Sequence, residues 1–199
     1  MRTLLSSLAA VIAMTAPASA APTIGQPAPA FTATDAQGRV HRLADFRGRT
    51  VVLEWHNPEC PFVKKFYDGG AMQKLQADAR AKGIVWLTIN SGAPGKQGHM
   101  TAEQALAYVK AQGLASTAYI PDPTGAIGRL YDARTTPHMF VIDPQGTLVY
   151  AGAIDDTPTA NPADVARARN LVTAALADVA AGRPVATPTS RPYGCSVKY

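Results

Sequence analysis

Cysteine is scarce in this chain: there are two in 199 residues, Cys60 and Cys195. A chain of this length buries a substantial core without covalent staples, so the pair is not the scaffold of a small disulfide-rich domain. Long apolar runs are also missing. Beyond residue 20, no stretch approaches the roughly 20 apolar residues that a membrane-spanning helix requires. Like charges do not cluster either. The formal charge is +5, but the 19 basic residues are scattered among 14 acidic ones. That pattern argues against a nucleic-acid-binding stripe or a basic membrane patch. There are no internal repeats and no low-complexity segments.

The first 20 residues carry what the rest lacks. Arg2 precedes the apolar run "TLLSSLAAVIAMTA", and the segment closes on "ASA". This is the charge, core and cleavage pattern of a secretory signal peptide over residues 1–20, with the cut after Ala20. Pro17 ends a core too short for a membrane anchor. Cleavage removes Arg2 and lowers the formal charge by one. The mature protein is expected to be exported and soluble, which in a Gram-negative cell means periplasmic. Its about 180 residues suit one domain, 21–182, followed by an extended tail, 183–199, that carries Cys195.

Periodicity gives the coarse architecture. "FTATDAQGRVHR" alternates around the turn residues "DAQG" and reads as a hairpin. "VVLEW" (Val51 to Trp55) is an apolar run broken only by Glu54, as expected of a central strand. From Pro61, Phe62, Val63, Phe66 and Tyr67 follow helical spacing. Gly69 and Gly70 break the pattern, and Met72, Leu75 and Ala79 resume it. "IVWLTIN" is a second buried strand, and Thr101 with Gln104 forms a capping box at the start of another helix. "TAYIPD" is a weaker strand and "TGAIGRLYDA" a short helix. "MFVID" and "TLVYAGA" flank the turn "PQG" as two antiparallel strands. Asn161 and Pro162 are expected to cap and start the last helix, with Val172, Ala175, Leu176 and Val179 as its buried stripe. Strands alternating with helices and ending in a hairpin and a helix define an α/β chain. The expected fold is a three-layer sandwich with a central mixed sheet.

Cys60 falls in "WHNPECPF", between a buried strand and Pro61, where a helix begins. At that cap the free backbone N–H groups of the helix point at the sulfur and favour thiolate. Free cysteine titrates near pH 8.5, and cysteines at helix N-termini fall to roughly 3.5 to 7.5. Lys64 and Lys65 would add to the effect and Glu59 would oppose it. The competing reading is a small buried hydrophobe. Position favours reactivity, because α/β folds place their sites beyond the carboxyl ends of parallel strands. Trp55, His56 and Asn57 immediately precede the thiol. His56 is either a base or thiolate partner, or a polar packing group. Pro137 stands at the start of a strand.

Two segments carry a resemblance. "IGQPAPAFTATDAQGRVHRLADFRGRTVVLEWHNPECPF" and "TTPHMFVIDPQGTLVYAGAID" resemble the thioredoxin-like redoxin family of alkyl hydroperoxide reductases and thiol-specific antioxidant proteins. "NPECPFVKKFY" and the closing "GCSVKY" resemble a peroxiredoxin-like branch of it. The resemblance implies a thioredoxin-like α/β/α fold and an exposed nucleophile at Cys60. It also implies a cis-proline segment, Thr136-Pro137, that shields the thiol from metals and holds substrate by backbone contact. The chain departs from the family in two places. Val63 stands where a Cys-x-x-Cys pair would have its second cysteine. Leu53, Asn57 and Pro137 stand where peroxiredoxins carry the proline, threonine and arginine of their peroxide site.

Two cysteines in an exported protein imply one disulfide or one redox pair. From Arg183 to Cys195 the tail can extend roughly 40 Å, against a radius of gyration of about 16 Å, so Cys195 can reach Cys60. Tyr193 and Tyr199 offer apolar anchors for it. The expectation is that Cys60 attacks a peroxide or a disulfide, that Cys195 resolves the product, and that an external thiol reductant restores the pair. No cofactor is called for. One alternative is a non-catalytic Cys60–Cys195 disulfide that pins the tail. The other is copper or zinc handling by His56, Cys60 and His138. Composition is silent on oligomeric state.

Overall fold

The computed structural model describes residues 21–199, and the expected signal peptide lies outside them. The hairpin forms as β1 (Thr32–Thr34) and β2 (Val40–Arg42), paired antiparallel. Asp35 closes its turn: Oδ1 accepts from the amides of Gln37 at 2.8 Å and Arg39 at 2.9 Å. A 3₁₀ turn over Leu43–Phe46 leads to β3 (Val51–Trp55), whose five residues are all buried. Next come α1 (Pro61–Tyr67) and α2 (Ala71–Ala81), separated at Gly70, which takes a left-handed conformation (φ 75°) that L side chains avoid. The expected helix break falls there.

The chain continues through β4 (Val85–Asn90), α3 (Ala102–Gln112), β5 (Ala118–Pro121) and α4 (Ala126–Leu130). The capping box on α3 forms, with both Thr101–Gln104 hydrogen bonds present. Short β6 (Thr135–Thr136) precedes β7 (His138–Ile142) and β8 (Leu148–Gly152), and α5 (Leu171–Ala180) and β9 (Cys195–Ser196) complete the order.

The central sheet runs β5-β4-β3-β7-β8. β3 is parallel to β4, and β4 to β5, whereas β7 is antiparallel to both β3 and β8. It is therefore mixed, and α/β in class. Period two divides its side chains between the faces. Leu53, Trp55, Leu87, Ile89, Phe140 and Ile142 point to one core, shared with Phe31, Leu43, Ile127 and Tyr131. Val52, Trp86, Met139 and Val141 point to the other, filled by Val63 and Phe66 of α1, Met72 of α2 and Val172 of α5. Parallel β3 and β4 both end at the edge where α1 starts, which places Cys60 at the carboxyl end of the central strand.

One boundary differs from expectation. Asn161 caps only a 3₁₀ turn over Pro162–Asp164, and the last helix begins at Leu171 under Asn170, whose side chain accepts from Thr173 N at 2.8 Å. The Asn-Pro signal is local and is satisfied locally. The residues after it, through Arg169, offer no apolar stripe to bury, so the helix starts where Leu171 and Val172 do.

Candidate functional site

β3 ends at Trp55, and Asn57 then builds the turn that delivers Cys60. Its Oδ1 accepts from Glu59 N at 2.9 Å, and its carbonyl accepts from Cys60 N at 3.1 Å. Cys60 is the N-cap of α1, with Pro61 locking the first helical φ. Across the junction, the Thr136-Pro137 peptide is cis, and the Cys60 thiol donates to the Thr136 carbonyl at 3.1 Å.

The tail supplies the fourth group. β9 pairs antiparallel with β6 so that Cys195 lies opposite Thr136. Its close approach requires Gly194, because a Cβ there would strike the Thr136 carbonyl. Both cysteines are free, and strand pairing sets Cys195 opposite the residue whose carbonyl accepts from Cys60. Cys60, Thr136, Pro137 and Cys195 thus meet at one point, although they come from three distant parts of the chain.

The electrostatics of the pair are asymmetric. Burial pushes the Cys60 thiol up, but hydrogen bonds from the Cys195 side chain, from Thr136 and from the amides of Cys195 and Val63 outweigh it. The net shift is downward. Cys195 moves the other way, raised by burial and then by its bond to Cys60. Cys60 is therefore the more acidic thiol of the two.

Three expectations need correction. Cys60 is not exposed: its accessibility is 0%, because β9 lies over it. Lys65 does not face the thiol either. It turns to the far side of α1, where the ammonium donates to Asp155 Oδ2 at 3.0 Å, to the Thr157 carbonyl at 2.8 Å and to Tyr193 Oη at 3.2 Å. Finally, His56, Cys60 and His138 do not converge. Among the described residues, no three His, Cys, Asp or Glu side chains are arranged to hold a metal ion. His56 lies between two tyrosine hydroxyls, Tyr119 at 3.0 Å and Tyr108 at 3.2 Å, and burial lowers its pKa to about 3. His138 has its Nδ1 facing the amide of Arg134 at 3.3 Å, and burial lowers its pKa to about 4. Both are neutral packing groups. Trp55 is another, packed on Tyr131 and Phe140 with Nε1 donating to Ser91 at 3.0 Å.

Two polar sets near the site carried little warning. Glu54 is fully buried and accepts from Tyr67 Oη at 2.6 Å, Trp86 Nε1 at 2.7 Å, Gln76 Nε2 at 3.1 Å and Thr88 Oγ1 at 3.2 Å. Burial raises its pKa, and these four donors oppose the rise. Its only signal was one acid inside an apolar strand. The Lys65, Asp155 and Tyr193 set gave none.

A mixed five-stranded sheet, helices on both faces and a cis-proline beside a cap cysteine define a thioredoxin-like redox protein. Residues 24–151 match the AhpC/TSA family, and the chain belongs to it. A thiol-disulfide oxidoreductase ResA of Geobacillus kaustophilus is 29% identical over 125 residues, covering 63% of this chain and 66% of that protein. The ResA of Geobacillus thermodenitrificans is 32% identical over 71 residues, 36% of this chain and 40% of that one. The chain thus matches less than two thirds of the length of these curated relatives. Among solved structures, a hypothetical protein of Sinorhizobium meliloti is 29% identical with a TM-score of 0.75, covering 91% of this chain and 97% of that one. An uncharacterized conserved protein of Geobacillus kaustophilus matches at 28% and 0.75, covering 89% and 92%.

Proposed function

We propose that this protein is an exported thiol-disulfide oxidoreductase in which Cys60 and Cys195 alternate between dithiol and disulfide. The observation that carries this reading is the meeting of the two cysteines at Thr136, with Cys195 in register against it and the Cys60 thiol on its carbonyl at 3.1 Å. Thiolate Cys60 attacks one sulfur of a substrate disulfide, and the other sulfur leaves as thiolate. Cys195 then attacks the Cys60 sulfur and passes its proton to the first released thiolate, while the second substrate thiolate departs. Two electrons reach the substrate, and the protein holds a Cys60–Cys195 disulfide. An external dithiol or two monothiols return the electrons. Their first attack falls on Cys195, the more accessible sulfur, and Cys60 departs as the more acidic thiol.

Family membership also brings in peroxide as oxidant. That reaction makes a sulfenic acid at Cys60, which Cys195 converts to the same disulfide with loss of water. The surroundings favour disulfides. A departing oxyanion needs aimed donors, and the side chain of Leu53 packs in the opposite core while the Asn57 carboxamide is engaged in its turn.

The test mixes the reduced mature protein with oxidised glutathione or with hydrogen peroxide. Wild type, Cys60→Ser and Cys195→Ser are followed by thiol count and mass. The expected result is a Cys60-dependent Cys60–Cys195 disulfide that forms much faster with glutathione disulfide. Faster oxidation by peroxide, with sulfenic acid trapped in Cys195→Ser, reverses the substrate assignment. An unreactive Cys60 removes the enzyme reading.

A further inference from the structure

Residues 181–194 separate α5 from Cys195, and most of this stretch is irregular. A loose tether of that length gives its end an effective concentration of only millimolar order. Something must therefore hold Cys195 in register on Thr136. At Ser190, the amide donates to Ala151 O at 3.2 Å and the hydroxyl accepts from Ala153 N at 2.8 Å. These bonds fix the course of the tail along β8, but five residues short of the thiol.

Beyond Cys195 the chain is held by Val197 N, which donates to Arg134 O at 3.1 Å, and by Tyr199 Oη, which donates to Ala133 O at 2.7 Å. On the side of the tether, the side chain that holds it is Tyr193, two residues before Cys195. Its ring packs edge-on against Phe62 of α1, with centroids 5.8 Å apart. Its hydroxyl enters a buried ion pair and touches both members, accepting from Lys65 Nζ at 3.2 Å and donating to Asp155 Oδ1. Every donor and acceptor in the set is used. The three Lys65 ammonium protons go to Asp155, Thr157 and Tyr193, and Asp155 Oδ1 also accepts from Thr157 N at 3.0 Å. The side chains of Lys65 and Asp155 are 0% and 2% exposed. Lys65 belongs to the helix that Cys60 caps, so the cluster ties that helix to the segment that leads into β9.

We propose that Tyr193, clamped between Lys65 and Asp155, is the positioning residue that sets how fast Cys195 resolves a mixed disulfide on Cys60. The proposal rests on Cys60 and Cys195 being the exchanging pair. A firm clamp keeps Cys195 in register and resolution fast, whereas a loosened one leaves β9 held from its C-terminal side alone and its register less firmly set. Cys60's own first attack does not use the clamp and gains access when the tail lifts.

The two steps separate with 5,5'-dithiobis(2-nitrobenzoate). Thiolate Cys60 attacks and releases one thionitrobenzoate. Cys195 then attacks Cys60 and releases the second, with loss of its proton. At reagent concentrations high enough that the second release no longer depends on them, its rate reports resolution alone. Tyr193→Phe keeps the ring on Phe62 and removes only the hydroxyl. It is expected to slow the second release about tenfold, as for loss of hydrogen bonds to charged partners, and to leave the first unchanged or faster. Tyr193→Ala should slow it further. General destabilisation does not divide the two phases in this way. A second release within twofold of wild type in Tyr193→Phe overturns the clamp. A wild type that releases only one thionitrobenzoate removes the exchanging pair, and the clamp with it.

Discussion

Replacing Lys65 by methionine keeps most of the side-chain volume and removes the charge. Asp155 is then left as a carboxylate that is 2% exposed, with Oδ2 stripped of its cation. Oδ1 keeps the Thr157 amide and the Tyr193 hydroxyl, so the loss is partial. Breaking a buried pair by removing one partner costs about 3 to 5 kcal/mol, because the surviving charge stays buried without compensation. Set against the ~5 to 15 kcal/mol that holds a domain of this kind together, this is a large fraction. The Lys65→Met/Asp155→Asn double variant removes both charges and leaves a carbonyl oxygen for the Thr157 amide. It should regain at least about 2 kcal/mol of the loss. The assay is equilibrium urea unfolding of the reduced protein with the slope held common. Lys74→Met, which breaks a solvent-exposed pair with Asp78, serves as the control and should change little. A Lys65→Met cost under about 1 kcal/mol, or a double variant no better than the single, would refute the reasoning that this pair is buried and mutually dependent.

Three further outcomes follow from the site. The Cys195 side chain is the first of the bonds that lower Cys60, so Cys195→Ala should move Cys60 alkylation by iodoacetamide to higher pH than Cys195→Ser, which retains a donor; identical profiles would contradict it. Gly194→Ala drives a Cβ into the Thr136 carbonyl and should unseat β9, raising the rate of Cys60 alkylation severalfold; an unchanged rate would mean that the strand does not cover the thiol. His138 is buried neutral, with its pKa lowered to about 4. The unfolded chain takes up that proton near pH 6.5 and the folded one does not, so stability falls as the pH drops between about 6.5 and 4, by about 1.4 kcal/mol per unit for this one group. His138→Gln should flatten the urea-stability profile by that slope in that window, and equal slopes would place the loss elsewhere.

The fold was legible because its signals are local and repeated. Val51 to Trp55 and Ile84 to Asn90 read as buried strands since both faces of the sheet are covered, and every residue of β3 and of β4, which starts one residue later at Val85, is buried. Gly69 and Gly70 marked the break between α1 and α2 through backbone chemistry alone. The start of the last helix was misplaced for the same reason that such signals work elsewhere. Asn161-Pro162 is a sound cap for one turn, and only an apolar stripe extends a turn into a helix.

The site was legible only where its residues lie next to one another in sequence. Cys60 on its cap and Pro137 at its strand announce themselves by position. Cys195 could be matched to Cys60 because no third cysteine competes, and because Tyr193 and Tyr199 marked the tail as something that docks. What covers the thiol was hidden, since β6 and β9 are two residues each and their pairing spans 59 positions between Thr136 and Cys195. No period exists in two residues. Lys65 shows the limit most clearly: in sequence it is a first-turn cation beside a thiol, yet helical rotation points it at Asp155, 90 residues away. A charge five residues past Cys60 then acts on the chemistry through the tail and not through the field at the sulfur, and this is why the Tyr193→Phe and Lys65→Met outcomes, more than any change at Lys64, bear on how this pair works.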